Sequence, residues 1–507
     1  MSNLKDKRGK YLIQRLCKPY RGKRVHDQEL LRELYDYCLQ DVVAERAIRK
    51  ELRPLHPTER AVWEADQRMN LRGVKLDSVN CEHAIEIIKK VEAELNQEVF
   101  ELTDGELAST SSRAKSLEWI NRQGLVMDSY DKAAVTCALE GVCPPKVERF
   151  LQIRQALSKS STKKFQAMLS CLGQDGRAHG TGMYHGAATG RWSGRHFQPQ
   201  NLPRPIVDDV DPIIDALRFR CPDQLPGEPM ALLASCLRGM LVASKGRRLI
   251  VSDYSAIEAR VLAWLAGHKT VLQSFREGLD LYKVTASDMY SIPYANVDKD
   301  QRFDGKIAVL ALGYQGGSRA FTKMAQNYGT DVDDATALKI RDDWRAANRP
   351  IVKLWHEVER SAYNAIQNGK REETSVGDFK MVKGDLLFKL PSGRCLSFPQ
   401  AALINNKITY QGMNNFTHRW GTIETYGGSL VQSITQAVAR DLLAHALLKL
   451  DAAGYDPILT VHDEIVSDTK IGHGSLDEFN ALMCDLPQWA KGLPVAAEGY
   501  ESNRYRK

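Results

Sequence analysis

Two short strand-like segments, far apart in the chain, each lead to a carboxylate, and they constrain the possible fold more than any other feature. Residues 248–252 form a largely aliphatic run that ends at Asp253, directly before a helical pattern. Asp253 is therefore expected at a strand-to-helix corner, where a carboxylate can project from the end of a sheet. Residues 458–461 and 465–467 are strand-like runs on either side of three polar residues, and this spacing predicts a hairpin. The fold must accommodate both strands and helices.

The tip of the predicted hairpin is chemically unusual. It lacks the Gly or Asn that a tight turn prefers, and it places Asp463 and Glu464 beside His462. Because adjacent carboxylates repel each other, such a tip is best explained by a nearby cation. Mg²⁺ accepts Asp and Glu oxygens together with water and phosphate oxygens. The simpler alternative is a polar turn without a ligand.

Glu258, which follows the first strand, has two interpretations. With Ser255 it fits a capping box at the start of a helix, and the local sequence alone favours this structural role. The alternative is a functional carboxylate close to Asp253. Asp253 itself has a simpler interpretation as a turn residue.

Residues 301–315 place four side chains at intervals of four. On a helix Arg302, Lys306, Leu310 and Tyr314 form one slowly drifting stripe. Two cations followed by an aliphatic and an aromatic residue suit a nucleoside triphosphate, with the phosphates at the cationic end. The alternative is an amphipathic helix whose Arg and Lys heads reach solvent.

Composition excludes several classes of protein. The chain has 507 residues, of which 43% are hydrophobic and 26% charged, as in soluble globular proteins and unlike disordered chains. Its net charge of +7 is compatible with a polyanionic partner without requiring one. Most of this excess lies in residues 1–60, which hold 15 Lys and Arg against 9 Asp and Glu. A basic, solvated leader is the simplest explanation for that segment.

Cysteine spacing and apolar runs indicate a protein of the cytoplasm. The ten cysteines form no Cys-x-x-Cys pair, which favours free thiols over a zinc site or a disulfide framework. No stretch resembles a signal peptide or approaches the ~18 apolar residues of a membrane span. Cytoplasmic localisation without membrane association is therefore expected.

The rest of the pattern is mainly helical. Apolar spacing predicts helices over 28–53, 57–71, 81–103 and 145–170, and a short strand over 74–77. Residues 176–204 contain few aliphatic side chains and are expected to form exposed loops or edge strands. Residues 203–229 hold six prolines and are expected to form an inserted surface loop.

Taken together, these segments resemble motifs A, B and C of family A DNA polymerases, the class of bacterial DNA polymerase I and its phage relatives. The three motifs read Asp-Tyr-Ser-Ala-Ile-Glu-Ala-Arg (253–260), Arg-x3-Lys-x7-Tyr (302–314) and Val-His-Asp-Glu (461–464). Further similarities are Thr-Gly-Arg-Trp-Ser (189–193), Gln-Asn-Leu-Pro (200–203), Gln-x3-Gln-Ala-Val-Ala-Arg-Asp (432–441) and Arg-Gly-Val-x2-Asp (72–77). The resemblance extends over roughly residues 55–507, and its style is closest to phage or prophage enzymes.

The resemblance implies an α+β right-hand polymerase, with a mainly antiparallel palm sheet, a helical thumb and mostly helical fingers. The palm would comprise residues 60–78, 171–262 and 425–507, the thumb 79–170 and the fingers 263–424, with a β-rich segment near 372–400. It would be a monomer acting on primer-template DNA and dNTPs.

The resemblance also implies a two-metal site. Asp253, Asp463 and the backbone carbonyl of Tyr254 would hold two Mg²⁺ ions, for which Mn²⁺ can substitute, and Glu464 would be a nearby additional carboxylate. Lys306 is the candidate proton donor to pyrophosphate. The residues implied to bind the dNTP are Arg302, Lys306, Leu310, Tyr314, Glu258 and Tyr282.

Glu258 would be the steric gate that excludes a ribose 2′-hydroxyl. Arg191 and Gln436 would reach minor-groove acceptors, which are common to all correct base pairs. Contacts to the DNA backbone would position the duplex without specifying sequence. The residues implied to bind DNA are Thr189, Arg191, Gln200, Asn201, Gln432, Gln436, His462, Lys159, Lys163 and Lys164.

Four residues depart from the family pattern. Leu310 stands where Phe or Tyr is usual, and Tyr282 stands where many relatives have His. Ala256 replaces a common Gln, and Gln315 replaces the Gly that usually follows the motif B Tyr. These departures bear on nucleotide selectivity and rate, and they leave the carboxylates in place.

Residues 37–41 (Tyr-Cys-Leu-Gln-Asp) resemble the third motif of the family's 3′–5′ exonuclease domain. The Asp-x-Glu and Asn-x3-Asp motifs expected before it, at the separation the family shows, cannot fit in the 36 residues that precede Tyr37 in the sequence given. Residues 1–59 are therefore predicted to be a remnant of that domain, without proofreading activity.

Three functions compete with a DNA-templated DNA polymerase. A single-subunit RNA polymerase would share the fold, but Glu258 argues against it. An inactive primer-template-binding module would not need Asp253, Asp463, Arg302 and Lys306. An exonuclease would need the two motifs that cannot fit before residue 37.

Overall fold

The computed structural model describes residues 7–19, 23, 25–52, 54–158, 162–414 and 417–506. The chain divides into two compact units, Met1–Ala61 and Val62–Lys507. In the first unit, helices α1 (Lys7–Cys17) and α2 (Gln28–Glu51) pack against each other. The Asp27 carboxylate begins α2 by accepting hydrogen bonds from the backbone N–H groups of Glu29 and Leu30.

Helices dominate the chain up to residue 170. They are α3 (Pro57–Arg72), α4 (Ser78–Leu102), α5 (Arg113–Arg122), α6 (Lys132–Glu140), α7 (Pro145–Leu157) and α8 (Lys163–Ser170). The predicted single helix over 145–170 is therefore wrong, because α7 ends before Ser158 and α8 begins after Thr162. At the end of α7 the hydroxyl of Ser158 donates to the Gln155 carbonyl at 2.9 Å, a side-chain contact that competes with the backbone hydrogen bonds of a continuing helix.

Short strands and loops follow, as predicted for residues 176–204. The strands are β1 (Val74–Lys75) paired with β2 (Arg177–Ala178), and β3 (Gly182–Met183) paired with β4 (Ser193–Gly194). The predicted surface loop over 203–229 is wrong in part. It contains α9 (Asp211–Ala216), and α10 (Pro229–Cys236) begins at its end. Burial of Ile213, Ile214 and Leu217 in the core stabilises this segment despite its prolines.

A four-stranded antiparallel sheet lies at the centre of the second unit. Its order is β13 (Pro457–Val461), β14 (Glu464–Lys470), β5 (Arg247–Tyr254) and β15 (Ala497–Ser502). Alternate residues of β5 face opposite sides. Ile250 and Tyr254 join a hydrophobic cluster with α18 (Gly427–Ala452) and α19 (Leu476–Cys484), whereas Leu249 and Val251 join one with α4, α8 and α10. Helices therefore cover both faces of the sheet.

Residues between β5 and α18 are helical first and then β-rich. The helices are α11 (Ile257–Leu265), α12 (Lys269–Arg276), α13 (Leu281–Tyr290), α14 (Lys299–Leu312), α15 (Ser318–Asn327), α16 (Asp334–Ala347) and α17 (Arg349–Asn368). One antiparallel sheet contains β6 (Glu372–Thr374), β7 (Gly377–Val382), β8 (Asp385–Lys389) and β9 (Cys395–Phe398). A second contains β10 (Ala402–Ile404), β11 (Lys407–Met413) and β12 (Trp420–Thr425). The first sheet was predicted near 372–400, and the second was not.

Among the described residues, no helix combines the length and the apolar character needed to cross a membrane.

Candidate active site

The central sheet brings the two predicted metal carboxylates together. Asp253 lies at the end of β5, where it pairs directly with Glu464 of β14. The backbone N–H of Tyr254 donates to the carbonyl oxygen of Asp463 at 3.3 Å, so the hairpin tip lies against the end of β5. The strand-to-helix corner and the hairpin are both confirmed. Two carboxylates from distant parts of the sequence thus lie at one edge of the sheet.

The hairpin turn is strained. Val461 pairs with Glu464, which leaves His462 and Asp463 as a two-residue turn. His462 is exposed and has a φ of +56°, in the left-handed region that favours Gly and Asn. The unusual residue types at this tip therefore carry a conformational cost, as expected at a functional turn.

Glu464 differs from its two neighbours in its surroundings. It is buried, and its Oε1 accepts a hydrogen bond from the Tyr505 hydroxyl at 2.7 Å. Burial and the nearby Glu464 carboxylate raise the pKa of Tyr505, so this phenol stays protonated and donates. Asp253 and Asp463 are both only partly buried.

Two carboxylates at one edge fit a magnesium site. Mg²⁺ in phosphate-handling sites is commonly held by one or two carboxylates together with substrate oxygens and water, rather than by a cage of protein ligands. No cluster of three or more His, Cys, Asp and Glu side chains arranged for a metal occurs in the described parts of the chain.

Glu258 does not cap a helix, so the capping-box interpretation is wrong. Helix α11 begins after Ala256, which has a φ of +49° and makes no side-chain cap. The two oxygens of Glu258 instead accept hydrogen bonds from Arg191 at 2.7 Å and from the Tyr314 hydroxyl at 3.2 Å. Burial, followed by the Glu258 charge, raises the pKa of Tyr314 well above its ordinary value. The phenol is therefore a permanent donor that holds the carboxylate in place.

The cationic end of the predicted stripe lies on α14. An Asp298–Gln301 capping box begins this helix, which ends at Leu312 just before Tyr314. The Nε of Arg302 donates to the Asp280 carboxylate at 2.6 Å, and its guanidinium lies 5.4 Å from the ring centre of Tyr282.

Lys306, one turn further along α14, lies over a different ring. Its Nζ is 4.6 Å from the ring centre of Tyr328, at the end of α15. Both cations are thus held by aromatic faces through cation–π contacts. Neither role could be predicted from the sequence, because Asp280 and Tyr328 belong to no motif and each meets its cation only through tertiary packing.

Six of the predicted residues line one cavity of about 380 Å³. They are Glu258, Tyr282, Leu310, Tyr314, Gln432 and Asp463. Mostly apolar residues of α11 to α14, α16 and α17 complete the lining, together with the polar side chains of Thr285 and Asn348. The cavity therefore combines two carboxylates, those of Asp463 and Glu258, with walls that are mainly apolar, as is common for small-molecule sites.

Most predicted DNA-binding residues lie on loops and on α18. Thr189 is buried, Asn201 and His462 are exposed, and Gln200 donates to the Thr460 carbonyl at 2.9 Å. On α18, Gln432 is exposed and Gln436 is partly buried one turn later. These six residues are therefore distributed between positions that are open to solvent and positions that the fold holds in place.

The predicted lysines differ in availability. Lys163 is exposed on α8, whereas Lys164 donates to the Phe197 carbonyl at 2.7 Å. Burial lowers the pKa of Lys164. This contact ties Lys164 to the protein, so the prediction that it holds the DNA backbone is not favoured. Lys159 lies outside the described residues.

The fold is that of a polymerase domain. The structure resembles the POL domain of Pol1 from M. smegmatis, which was solved in complex with DNA primer-template and dNTP. The TM-score is 0.61 at 18% identity, and the match covers 98% of this chain and 81% of that chain. This likeness establishes the fold and confirms the predicted α+β right-hand architecture.

Sequence comparison gives the family. Residues 81–372 match the model for DNA polymerase family A. The chain is 37% identical to the DNA polymerase of Bacillus phage SP02 over 533 aligned positions, which cover 100% of this chain and 82% of the relative. It is 26% identical to the thermostable DNA polymerase I of Thermus filiformis, covering 87% of this chain and 46% of that relative. The chain belongs to DNA polymerase family A, and the predicted enzyme class, a DNA-directed nucleotidyltransferase, is confirmed.

Proposed function

We propose that this chain extends the 3′ end of a DNA primer with dNTPs by two-metal-ion nucleotidyl transfer and releases pyrophosphate. The observation that carries the proposal is the meeting of Asp253 and Asp463 at one sheet edge, beside the cavity lined by the predicted nucleotide residues. The phage relative is named a DNA polymerase, and the M. smegmatis domain was solved with primer-template and dNTP. Both names support DNA and dNTPs as substrates.

Asp253, Asp463 and the Tyr254 carbonyl would hold the two Mg²⁺ ions. When bound, the ions lower the pKa of the primer 3′-hydroxyl and stabilise charge on the leaving pyrophosphate. The protein's own part is positioning and charge neutralisation, which carry most of phosphoryl transfer. Glu464, buried and bonded to Tyr505, would keep additional negative charge close to the site without needing to move.

The cations of α14 would receive the triphosphate. Arg302 would exchange its ion pair with Asp280 for phosphate oxygens, and Lys306 would leave the face of Tyr328. Lys306 would then hold the proton at its Nζ that the departing pyrophosphate takes up. Asp280 thus keeps Arg302 ordered before the nucleotide arrives, which lowers the entropy lost on binding.

Glu258 would select the sugar by occupying the space of a 2′-hydroxyl. Two donors, Arg191 and Tyr314, fix its carboxylate at the cavity wall. Arg191, Gln432 and Gln436 would in addition contact the primer-template, where minor-groove acceptors are shared by all correct pairs. The division into palm, thumb and fingers stays part of this proposal, with the boundaries given above.

Primer extension tests the proposal directly. A labelled primer-template is incubated with Mg²⁺ and each of the four dNTPs, beside the same reactions with rNTPs. Template-directed extension with dNTPs is expected, with little from rNTPs. Preferential use of rNTPs would support an RNA polymerase, and tight binding without extension would support an inactive module. Replacing Mg²⁺ by EDTA should stop the reaction, and Mn²⁺ should restore it.

We expect no 3′–5′ exonuclease activity from this chain. Asp41 lies on α2, whose described side chains are all exposed or only partly buried. Without the metal-binding carboxylates of the other two exonuclease motifs, Asp41 cannot position two metal ions for hydrolysis. A labelled primer with a mismatched 3′ end should keep its length during incubation with Mg²⁺ and no dNTP. Stepwise shortening that disappears in Asp41→Ala would contradict the prediction.

His462→Gly is expected to stabilise the protein and to lower its affinity for primer-template DNA. Glycine removes the cost of a left-handed backbone, about 1 kcal/mol or more for a residue such as His. Thermal melting and a DNA-binding titration measure the two effects. Asn406→Gly is the matched control, because Asn406 is an exposed turn residue with a φ of +60° outside the site. A lower melting temperature for His462→Gly, or unchanged DNA affinity, would contradict the corresponding part.

A further inference from the structure

A buried cluster of charged side chains lies behind the loop that carries Arg191. Asp441 of α18 accepts hydrogen bonds from the Nε of Arg394 at 2.8 Å, from Arg440 at 3.2 Å and from the hydroxyl of Ser392. The side chains of Arg394, Arg440 and Asp441 are 9%, 0% and 5% exposed. We refer to these four residues as the Asp441 cluster. Its members come from α18 and from the turn between β8 and β9.

Both arginines also reach the backbone of that loop. Arg394 donates to the Thr189 carbonyl at 2.9 Å, and the Nε of Arg440 donates to the Gly190 carbonyl at 3.0 Å. Gly190 has a φ of +89°, and a Cβ there would lie 2.7 Å from Arg394. Only glycine therefore allows the loop to approach so closely. Two consecutive peptide planes are fixed, and the second of them carries the N–H of Arg191.

We infer that Arg394, Arg440 and Asp441 are positioning residues for Arg191. Because peptide groups are planar, holding the carbonyls of residues 189 and 190 fixes the orientation from which the Arg191 side chain leaves the backbone. That side chain ends on Glu258, which also accepts from Tyr314. The Asp441 cluster thus sets the geometry of a gate that none of its members touches. This inference rests on the proposed function of Glu258 and Arg191.

The arrangement of charges in the Asp441 cluster favours a role in positioning the Arg191 loop over a role that only stabilises the fold. Burying two guanidinium groups and one carboxylate is costly, and well-packed apolar residues usually stabilise a core as well or better. Arginine, however, presents several donors in a rigid fork, so one side chain can join a carboxylate to separate backbone carbonyls. Arg394 does this with Asp441, Thr189 and the carbonyl of Ala437 at 3.2 Å. An apolar replacement could fill the volume but could not orient the loop.

A second cluster provides a matched control. Arg177 donates to Asp468 at 3.0 Å and to two consecutive carbonyls, those of Arg72 at 2.7 Å and Gly73 at 3.1 Å. The hydroxyl of Ser244 donates to the same carboxylate at 2.6 Å. This Asp468 cluster repeats the chemistry of the first, but it holds the start of β1 and none of its members lines the cavity. Variants of the Asp468 cluster therefore report the loss of stability alone, without an effect on the Glu258 steric gate.

The test compares Arg394→Lys with Arg177→Lys. Each change keeps the positive charge and removes the guanidinium group with its several N–H donors. Three quantities are measured: the melting temperature, the ratio of kcat/KM for a dNTP to that for the matching rNTP, and the ratio for extending a matched and a mismatched primer end. Both variants should melt at lower temperature. Because small displacements of positioned groups cost one to two orders of magnitude, Arg394→Lys should lower each ratio by about tenfold or more.

Arg177→Lys should leave both ratios unchanged, since its cluster does not bear on the gate. Ser392→Ala and Ser244→Ala form a milder pair for use if a lysine variant fails to fold, and only the first should lower the ratios. Equal ratios in wild type and the Asp441-cluster variants would overturn the inference, as would an equal fall in the Asp468-cluster variants. A wild-type chain that fails to extend a primer would instead overturn the proposed function, so the two failures are distinguishable.

Discussion

Asp253→Asn and Asp463→Asn should each abolish primer extension while leaving primer-template binding nearly intact. Asparagine keeps the size of the side chain but loses the charge that would hold Mg²⁺. Loss of several kcal/mol of transition-state stabilisation corresponds to about 10³-fold or more in kcat. Single-turnover extension measures the chemical step, and a fluorescence titration with labelled primer-template measures binding. These two carboxylates lie at the sheet edge beside the cavity and are proposed to contact metal rather than the duplex.

Glu501→Gln is the control for loss of a carboxylate from the same sheet. Glu501 lies on β15, where it pairs with Arg248 at 2.8 Å and faces Ile250 across the ladder, away from the end of β5. This variant should extend primers at the wild-type rate. If Asp253→Asn or Asp463→Asn kept substantial turnover, the assignment of that residue as a metal ligand would be wrong.

Glu258→Ala should increase the use of ribonucleotides relative to deoxyribonucleotides. If Glu258 fills the space of the 2′-hydroxyl, removing its side chain opens that space, and discrimination should fall by between about tenfold and 200-fold, the range typical of steric pocket changes. The measurement is the ratio of kcat/KM for a dNTP to that for the matching rNTP. Tyr314 and Arg191 would lose their shared acceptor, so kcat for dNTPs should also fall.

Glu258→Gln separates volume from charge. It keeps the shape of the side chain and can still accept from Tyr314, so it should retain most of the sugar discrimination. Thermal melting should show only a small change for either variant, because Glu258 is partly exposed and does not cap α11. If the ratio of kcat/KM for a dNTP to that for the matching rNTP were unchanged in Glu258→Ala, Glu258 would not be a steric gate. The RNA polymerase alternative would then be open again.

The local sequence pattern was sufficient to predict the strands that carry the proposed metal-binding carboxylates. The aliphatic run before Asp253 and the paired runs around Asp463 became β5, β13 and β14. Strands buried on both faces leave a plain signal in sequence, because few residue types tolerate such burial. The family resemblance could also be recognised from the sequence, because several motifs in the right order are much less probable by chance than any single motif.

Local pattern failed where a competing partner lay far away in the chain. Ser255 and Glu258 satisfy the spacing of a capping box, but Arg191 and Tyr314 supply stronger, charge-assisted and partly buried partners. The six prolines of segment 203–229 predict a surface loop, yet the segment buries Ile213 and Leu217 in the core. In each case a tertiary contact outweighed a local preference of about 1 kcal/mol.

The sequence by itself determined which residues have the right chemistry and which strands and helices carry them. Only the tertiary structure decided what those residues contact. Asp280 and Tyr328 hold the α14 cations, and the Asp441 cluster holds the loop before Arg191, through pairs that are far apart in the chain. Periodicity records how a side chain relates to its own helix or strand, whereas these contacts depend on how separate elements pack, which no local spacing encodes.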